Sequence, residues 1–169
     1  MYRKCSPMHA AMKILAIDPG YDRLGIAVVE GNPSKPTLVW SDCVLPDKGS
    51  PAVRLACVSR AISDAIQSYA PDALGIETLF FGINKKTALG VAEARGAILA
   101  MAGMAGLPVI ECTPVQVKLA VTGYGGADKK AVTQMIPRLL SLPEKRRLDD
   151  ELDAIAVGIT ALAVGLPRG

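Results

Sequence analysis

Three apolar runs separated only by short turns, then an alternation of strand-like and helix-like segments, constrain this chain more than any other feature. Lys13–Asp18 (KILAID) is a short strand stopped by Pro19 and Gly20, Leu24–Val29 (LGIAVV) is a second, and Thr37–Leu45 reads as a third. The intervening DPGYDR predicts a hairpin, because proline and glycine end a strand and so short a connection only lets the chain reverse. Ser50 and Pro51 offer an N-cap followed by proline at the first helical position. Behind them Leu55, Val58, Ile62, Ala65 and Tyr69 recur at helical spacing, and Pro71 ends the run. Ala73–Glu77 (ALGIE) predicts a fourth, buried strand, the loop Thr78–Asn84 leads into an alanine-rich helix reaching about Gly106, and Pro108–Cys112 predicts a fifth strand. Helices are expected over Pro114–Val121, from Asp128 to about Leu140 with a kink at Pro137, and over Asp149–Leu166.

This order predicts an α/β fold: a five-stranded mixed sheet with helices on both faces. With 169 residues, half of them hydrophobic, one domain over residues 13–166 can bury a full core, preceded by a flexible extension over residues 1–12. No apolar run reaches the roughly 18 residues that span a bilayer. The N-terminus has no uninterrupted apolar stretch after Arg3 and Lys4, so a cytoplasmic protein is expected. Cys5, Cys43, Cys57 and Cys112 are widely spaced beside a single His9, which suggests neither a zinc site nor a disulfide framework.

Charge is unevenly placed. Residues 1–84 carry eight basic and eight acidic groups, residues 85–147 ten and four, and residues 148–169 one and four. A basic block beside an acidic cluster suits an enzyme acting on nucleic acid, the cations holding phosphates and the acids holding a metal; a solvated basic surface gives the same count.

Asp150 and Asp153, three residues apart, open the last apolar helix and share one of its faces. Ionised carboxylates so placed repel unless a cation or proton lies between them. Asp18 and Glu77 end apolar strands, and sites in such sheets form at the ends of adjacent strands. Oxygen-only ligation points to Mg²⁺ or Mn²⁺, one or two ions per subunit, and so to a metal-dependent nuclease. Each acid also has a structural reading: helix capping for Asp150 and its neighbour Asp149, a buried pair with a base for Asp153, and turn formation for Asp18. Glu77 is harder to place structurally, since glutamate is a poor strand residue.

Six motifs in order carry a family likeness: IDPG at Ile17–Gly20, IETLFF at Ile76–Phe81, ARG at Ala94–Gly96, TPVQVK at Thr113–Lys118, GYGGADK at Gly123–Lys129 and DELDAIA at Asp150–Ala156. From about Lys13 to Leu162 the chain resembles the RuvC-type Holliday-junction resolvases. The resemblance implies an RNase H-like fold and a homodimer that nicks two like-polarity strands of four-way junction DNA with Mg²⁺ or Mn²⁺, in recombination and repair, beside a branch-migration motor. By its motifs Asp18, Glu77, Asp150 and Asp153 match the four catalytic acids, and Lys118 and Lys129 match lysines near the scissile phosphate. Phe80 matches an aromatic that stacks on opened bases, with Phe81 beside it. Asn84, Lys85, Lys86, Arg95 and Lys130 are further candidates for DNA contact. In-line attack of a metal-activated water, leaving a 5′-phosphate and a 3′-hydroxyl, is the expected chemistry. The alanine- and methionine-rich helix Thr87–Gly106 is the candidate dimer interface.

Departures fall in the loops: Leu24 stands where threonine is common, Thr78 where glutamine is common and Ile83 where lysine is common. Competing readings are an RNase H-fold nuclease acting on RNA or RNA–DNA hybrid, a non-catalytic junction-binding module, and an actin-like phosphotransferase, which normally needs two such domains.

Overall fold

The computed structural model describes residues 11–78 and 85–166, with side chains throughout except at 85–87. Its five strands are β1 (Met12–Pro19), β2 (Leu24–Asn32), β3 (Lys35–Val44), β4 (Ala73–Glu77) and β5 (Val109–Cys112). Its five helices are α1 (Pro51–Tyr69), α2 (Lys85–Met104), α3 (Pro114–Thr122), α4 (Lys129–Leu139) and α5 (Asp149–Val164). The sheet order is β3-β2-β1-β4-β5. β1 pairs antiparallel with β2 and parallel with β4, and β5 continues parallel to β4, so the sheet is mixed as expected.

Strand alternation divides the core in two. Leu15 and Ile17 of β1, Ile26 and Val28 of β2 and Leu74 and Ile76 of β4 face α1 and α2, where Val58, Ile62, Ile98 and Ala102 meet them. Ile14, Ala16, Ala27, Val29 and Ala73 face the other way, against α3, α4 and α5. Helices therefore cover both faces, and each fully buried aliphatic side chain contributes about 1.5–3 kcal/mol relative to exposure. α5 lies especially close to the sheet, because a Cβ on Gly158 would meet Val29 Cγ2 at 2.6 Å and one on Gly75 would meet Ala161 Cβ at 2.9 Å.

Local signals account for most boundaries. Thr113 and Gln116 form a reciprocal capping box ahead of Pro114, with bonds of 2.8 and 3.2 Å. Asp128 caps α4 by accepting from the Ala131 amide at 2.7 Å. Some differ from expectation, β2 among them, which runs on to Asn32 instead of ending at Val29. β3 starts at Lys35 instead of Thr37, because the Asn32 side chain accepts from the Ser34 and Lys35 amides at 3.0 Å and tightens the turn. α4 runs through Pro137 to Leu139 as one helix; Pro137 removes the donor that would reach back one turn, and the helix closes beyond it with the Leu140 amide on the Ile136 carbonyl at 3.1 Å. Among the described residues Cys43, Cys57 and Cys112 are free thiols, and no helix is long and apolar enough to cross a membrane.

Candidate active site

The parallel register of β1 and β4 pairs Ile17 with Ile76, so the next residue of each strand, Asp18 and Glu77, reaches the same sheet edge. Both lie in phase with the residues that face α5, and that helix begins beside them. Gly25, the β2 partner of Asp18, makes the approach possible: a Cβ there would stand 3.2 Å from Asp18 Cβ and collide with the Asp150 carbonyl oxygen. The first turn of α5 thus lies directly on the β1–β2 ladder, with Asp150 and Asp153 beside the strand ends.

Burial and mutual repulsion dominate the electrostatics. Asp18 is pushed up to about 7, first by burial and then by the charges of Asp153, Glu77 and Asp150, with Lys129 opposing. Glu77 is raised by burial and by Asp153, against Lys129 and Lys118. Burial also raises Asp153, although it accepts a hydrogen bond from Lys129 Nζ at 2.7 Å. Burial lowers the Lys129 ammonium, but its bond to Asp153 and the surrounding carboxylates outweigh this and leave it raised. Arg23 Nη1 lies 3.4 Å from Asp150 Oδ2. Four carboxylates thus share one region with too little positive charge to satisfy them all.

A cleft of about 280 Å³ opens next to these acids, lined by Glu77, Lys118, Lys129 and Asp153 with Pro114, Val117, Val132 and Ala156 as its apolar wall. All six residues expected to do chemistry, Asp18, Glu77, Lys118, Lys129, Asp150 and Asp153, are therefore brought together. Asp150 rather than Asp149 bears on Asp18, and Asp149 is exposed. Lys130 is exposed on the first turn of α4. Arg95 turns inward: its Nη2 lies 2.9 Å from Glu111 Oε1 and its Nε donates to the Glu77 carbonyl at 3.4 Å. Phe80, Phe81 and Asn84, and the side chains of Lys85 and Lys86, lie outside the described residues.

Several residues escaped sequence reasoning. Arg23 on Asp150 carried no signal. Gly25 carried one, since glycine inside an apolar strand marks a close approach of another backbone. Arg54 holds the β1–β2 turn, donating to the Tyr21 carbonyl at 2.6 Å and to Asp22 at 2.8 Å, with its guanidinium 4.4 Å from the Tyr21 ring centre. A Cβ on Gly90 of α2 would strike that ring, so Tyr21 is fixed from both sides.

The donor chemistry fits a hard divalent ion. Beside the acids the Cys112 thiol is pushed up to about 12 and the Cys43 thiol to about 11, chiefly by burial, so neither competes as thiolate and the cluster offers carboxylate oxygen. Among the described residues no three acidic, histidine or cysteine side chains stand close enough to enclose an ion as placed. Asp153 is drawn to Lys129 and Asp150 to Arg23.

Fold and site together define an RNase H-like endonuclease. A family model, Crossover junction endodeoxyribonuclease RuvC, matches residues 14–161. The chain is 44% identical over 149 residues to the RuvC of Moorella thermoacetica, covering 88% of this chain and 89% of that one. To the RuvC of a Roseiflexus species it is 45% identical over 152 residues, covering 88% and 89%. The structure of Thermus thermophilus RuvC in complex with a Holliday junction substrate superposes with a TM-score of 0.83 at 33% identity, covering 90% of this chain and 94% of that one. The yeast mitochondrial resolvase Ydc2 shares the fold at a TM-score of 0.66 and 11% identity, covering 93% and 82%. The chain belongs to the crossover junction endodeoxyribonuclease RuvC family.

Proposed function

We propose that this chain resolves four-way DNA junctions by nicking two like-polarity strands, with Asp18, Glu77, Asp150 and Asp153 holding Mg²⁺ or Mn²⁺. The observation that carries the reading is the convergence of these acids beside Lys118 and Lys129 at one cleft, in a chain of this family. When bound, such an ion lowers the pKa of a coordinated water and offsets charge on phosphate oxygens. The protein's own groups do the rest. Lys118 and Lys129, on opposite helices of the cleft, attract the phosphate and stabilise the charge that builds on it. The apolar wall of Val117, Val132 and Ala156 keeps bulk water from that side. Protons must leave Asp18, Glu77 and Asp153 before the acids can ligate, so acid silences the site.

Phe80 and Phe81 supply stacking surfaces for opened bases, and Asn84, Lys85, Lys86 and Lys130 supply backbone contacts. Arg95 acts through the Glu77 carbonyl that it touches. A homodimer matches the two-fold substrate, and α2 is its candidate interface, with Leu89 68% and Met104 84% exposed. A branch-migration motor is the expected companion on family grounds.

The test is an end-labelled four-way junction, beside matching duplex and RNA–DNA hybrid, incubated with Mg²⁺, Mn²⁺ or chelator and with Asp18→Asn. Paired symmetric nicks with 5′-phosphate ends in the junction alone, lost with chelator and in the variant, are expected. Cleavage of hybrid, or tight junction binding without nicks in either metal, would overturn the proposal.

A further inference from the structure

Glu151 stands between the two aspartates of α5 and points away from them. It is 4% exposed, and the roughly 100° step of a helix turns it from the cleft toward the β3 edge of the sheet. Its Oε1 accepts from Ser41 Oγ at 2.6 Å and lies 2.8 Å from Lys145 Nζ and 3.3 Å from Arg147 Nε. Lys145 also donates to the Ser41 carbonyl at 2.8 Å, and Arg147 to the Pro143 carbonyl at 2.9 Å. One carboxylate oxygen therefore gathers β3, the segment entering α5 and the first turn of α5. The helix start is not capped by its own N-cap side chain: Leu148 occupies that position and makes no capping bond.

Burying a carboxylate among cations is a poor source of stability, since apolar side chains of similar volume often serve as well or better. What directional bonds add is a fixed orientation. From this arrangement, which rests on the metal-nuclease reading above, we infer that Glu151 is a positioning residue. Through Ser41 and Lys145 it sets the rotation of the first turn of α5, and so the reach of Asp150 and Asp153 toward the ion.

The experiment compares wild type with Glu151→Gln, Ser41→Ala and Asp153→Asn. Mn²⁺ uptake is measured calorimetrically on DNA-free protein, junction nicking is followed against Mg²⁺ concentration, and melting is recorded alongside. Partners that orient ligands typically change metal affinity by about 10–100-fold. We expect the Mn²⁺ dissociation constant and the half-saturating Mg²⁺ to rise about tenfold in Glu151→Gln and a few-fold in Ser41→Ala, with nicking recovering at high Mg²⁺. Ser41→Ala removes one hydroxyl and keeps both ions, so it decides the matter if Glu151→Gln does not fold. Variants that melt earlier yet match wild type in Mn²⁺ affinity and Mg²⁺ dependence would overturn the inference alone. Wild type that takes up no Mn²⁺, or Asp153→Asn that binds it undiminished, would overturn the metal reading and the inference together.

Discussion

The carbonyl of Asp150 occupies the space that a side chain on Gly25 would fill. Since Gly25 is the cross-strand partner of Asp18, the strand and helix that carry the acids meet at a backbone contact. The distance between Asp18 and the first turn of α5 is thus set by the absence of one methyl group.

Gly25→Ala should push that turn outward. Forcing an extra methyl group into a packed contact costs about 1–3 kcal/mol, and a displacement near 1 Å at a reacting centre can lower the rate about 100-fold. Thermal melting and junction nicking of the same preparation check both. Nicking within about threefold of wild type would show that α5 is not registered through this contact.

Without metal, stability should fall as pH rises toward neutrality. Asp18 goes from its ordinary value of 3.8 to about 7 on folding, so between those values the folded chain keeps a proton that the unfolded chain has released. The folded state then binds more protons, and the contribution, on the order of 4 kcal/mol, is present at low pH and lost as pH rises to about 7. Burial raises Glu77 and Asp153 in the same direction. Urea unfolding in chelator at pH 5 and pH 8 measures the slope, which Asp18→Asn should flatten.

Divalent metal should reverse that trend. An ion held as proposed would bind the ionised acids, so saturation to 100 times the dissociation constant would stabilise the fold by about 2.7 kcal/mol where they are deprotonated. Chelator should lower the melting temperature at pH 8 and leave it nearly unchanged at pH 5, as differential scanning with and without Mn²⁺ would read directly.

Lys129→Met should separate chemistry from stability. The ion pair with Asp153 spans 2.7 Å, but the lysine side chain is 62% exposed, and pairs of that kind are worth about 0–1 kcal/mol. Losing a cation that stabilises charge on the reacting phosphate costs about 100–1,000-fold in rate. Single-turnover nicking against melting temperature tests the split, and a large drop in melting with intact nicking would assign Lys129 a structural role.

Asp18 and Glu77 were legible in the sequence because each ends an apolar strand, and the parallel pairing of Ile17 with Ile76 carries those ends to one edge. Asp150 and Asp153 were legible because a helical repeat puts residues three apart on one face. Glu151 was not, although it lies in the same motif: its partner Ser41 is 110 residues away, and nothing local distinguishes a buried glutamate from a solvated one. Arg23 and Arg54 were hidden for the same reason, since both act across chain separations that periodicity does not report. The turn at Asn32 was missed because its side chain bonds the backbone and lets pairing resume two residues early.

Three of the four acids lie at opposite ends of the chain, Asp18 in the first strand and Asp150 and Asp153 in the last helix, and α5 itself covers the sheet. A growing polypeptide on the ribosome consequently completes every strand of the sheet before the proposed acid set is whole. Prematurely terminated products that lack α5 would also lack Asp150 and Asp153, half of the acids proposed to hold the ion.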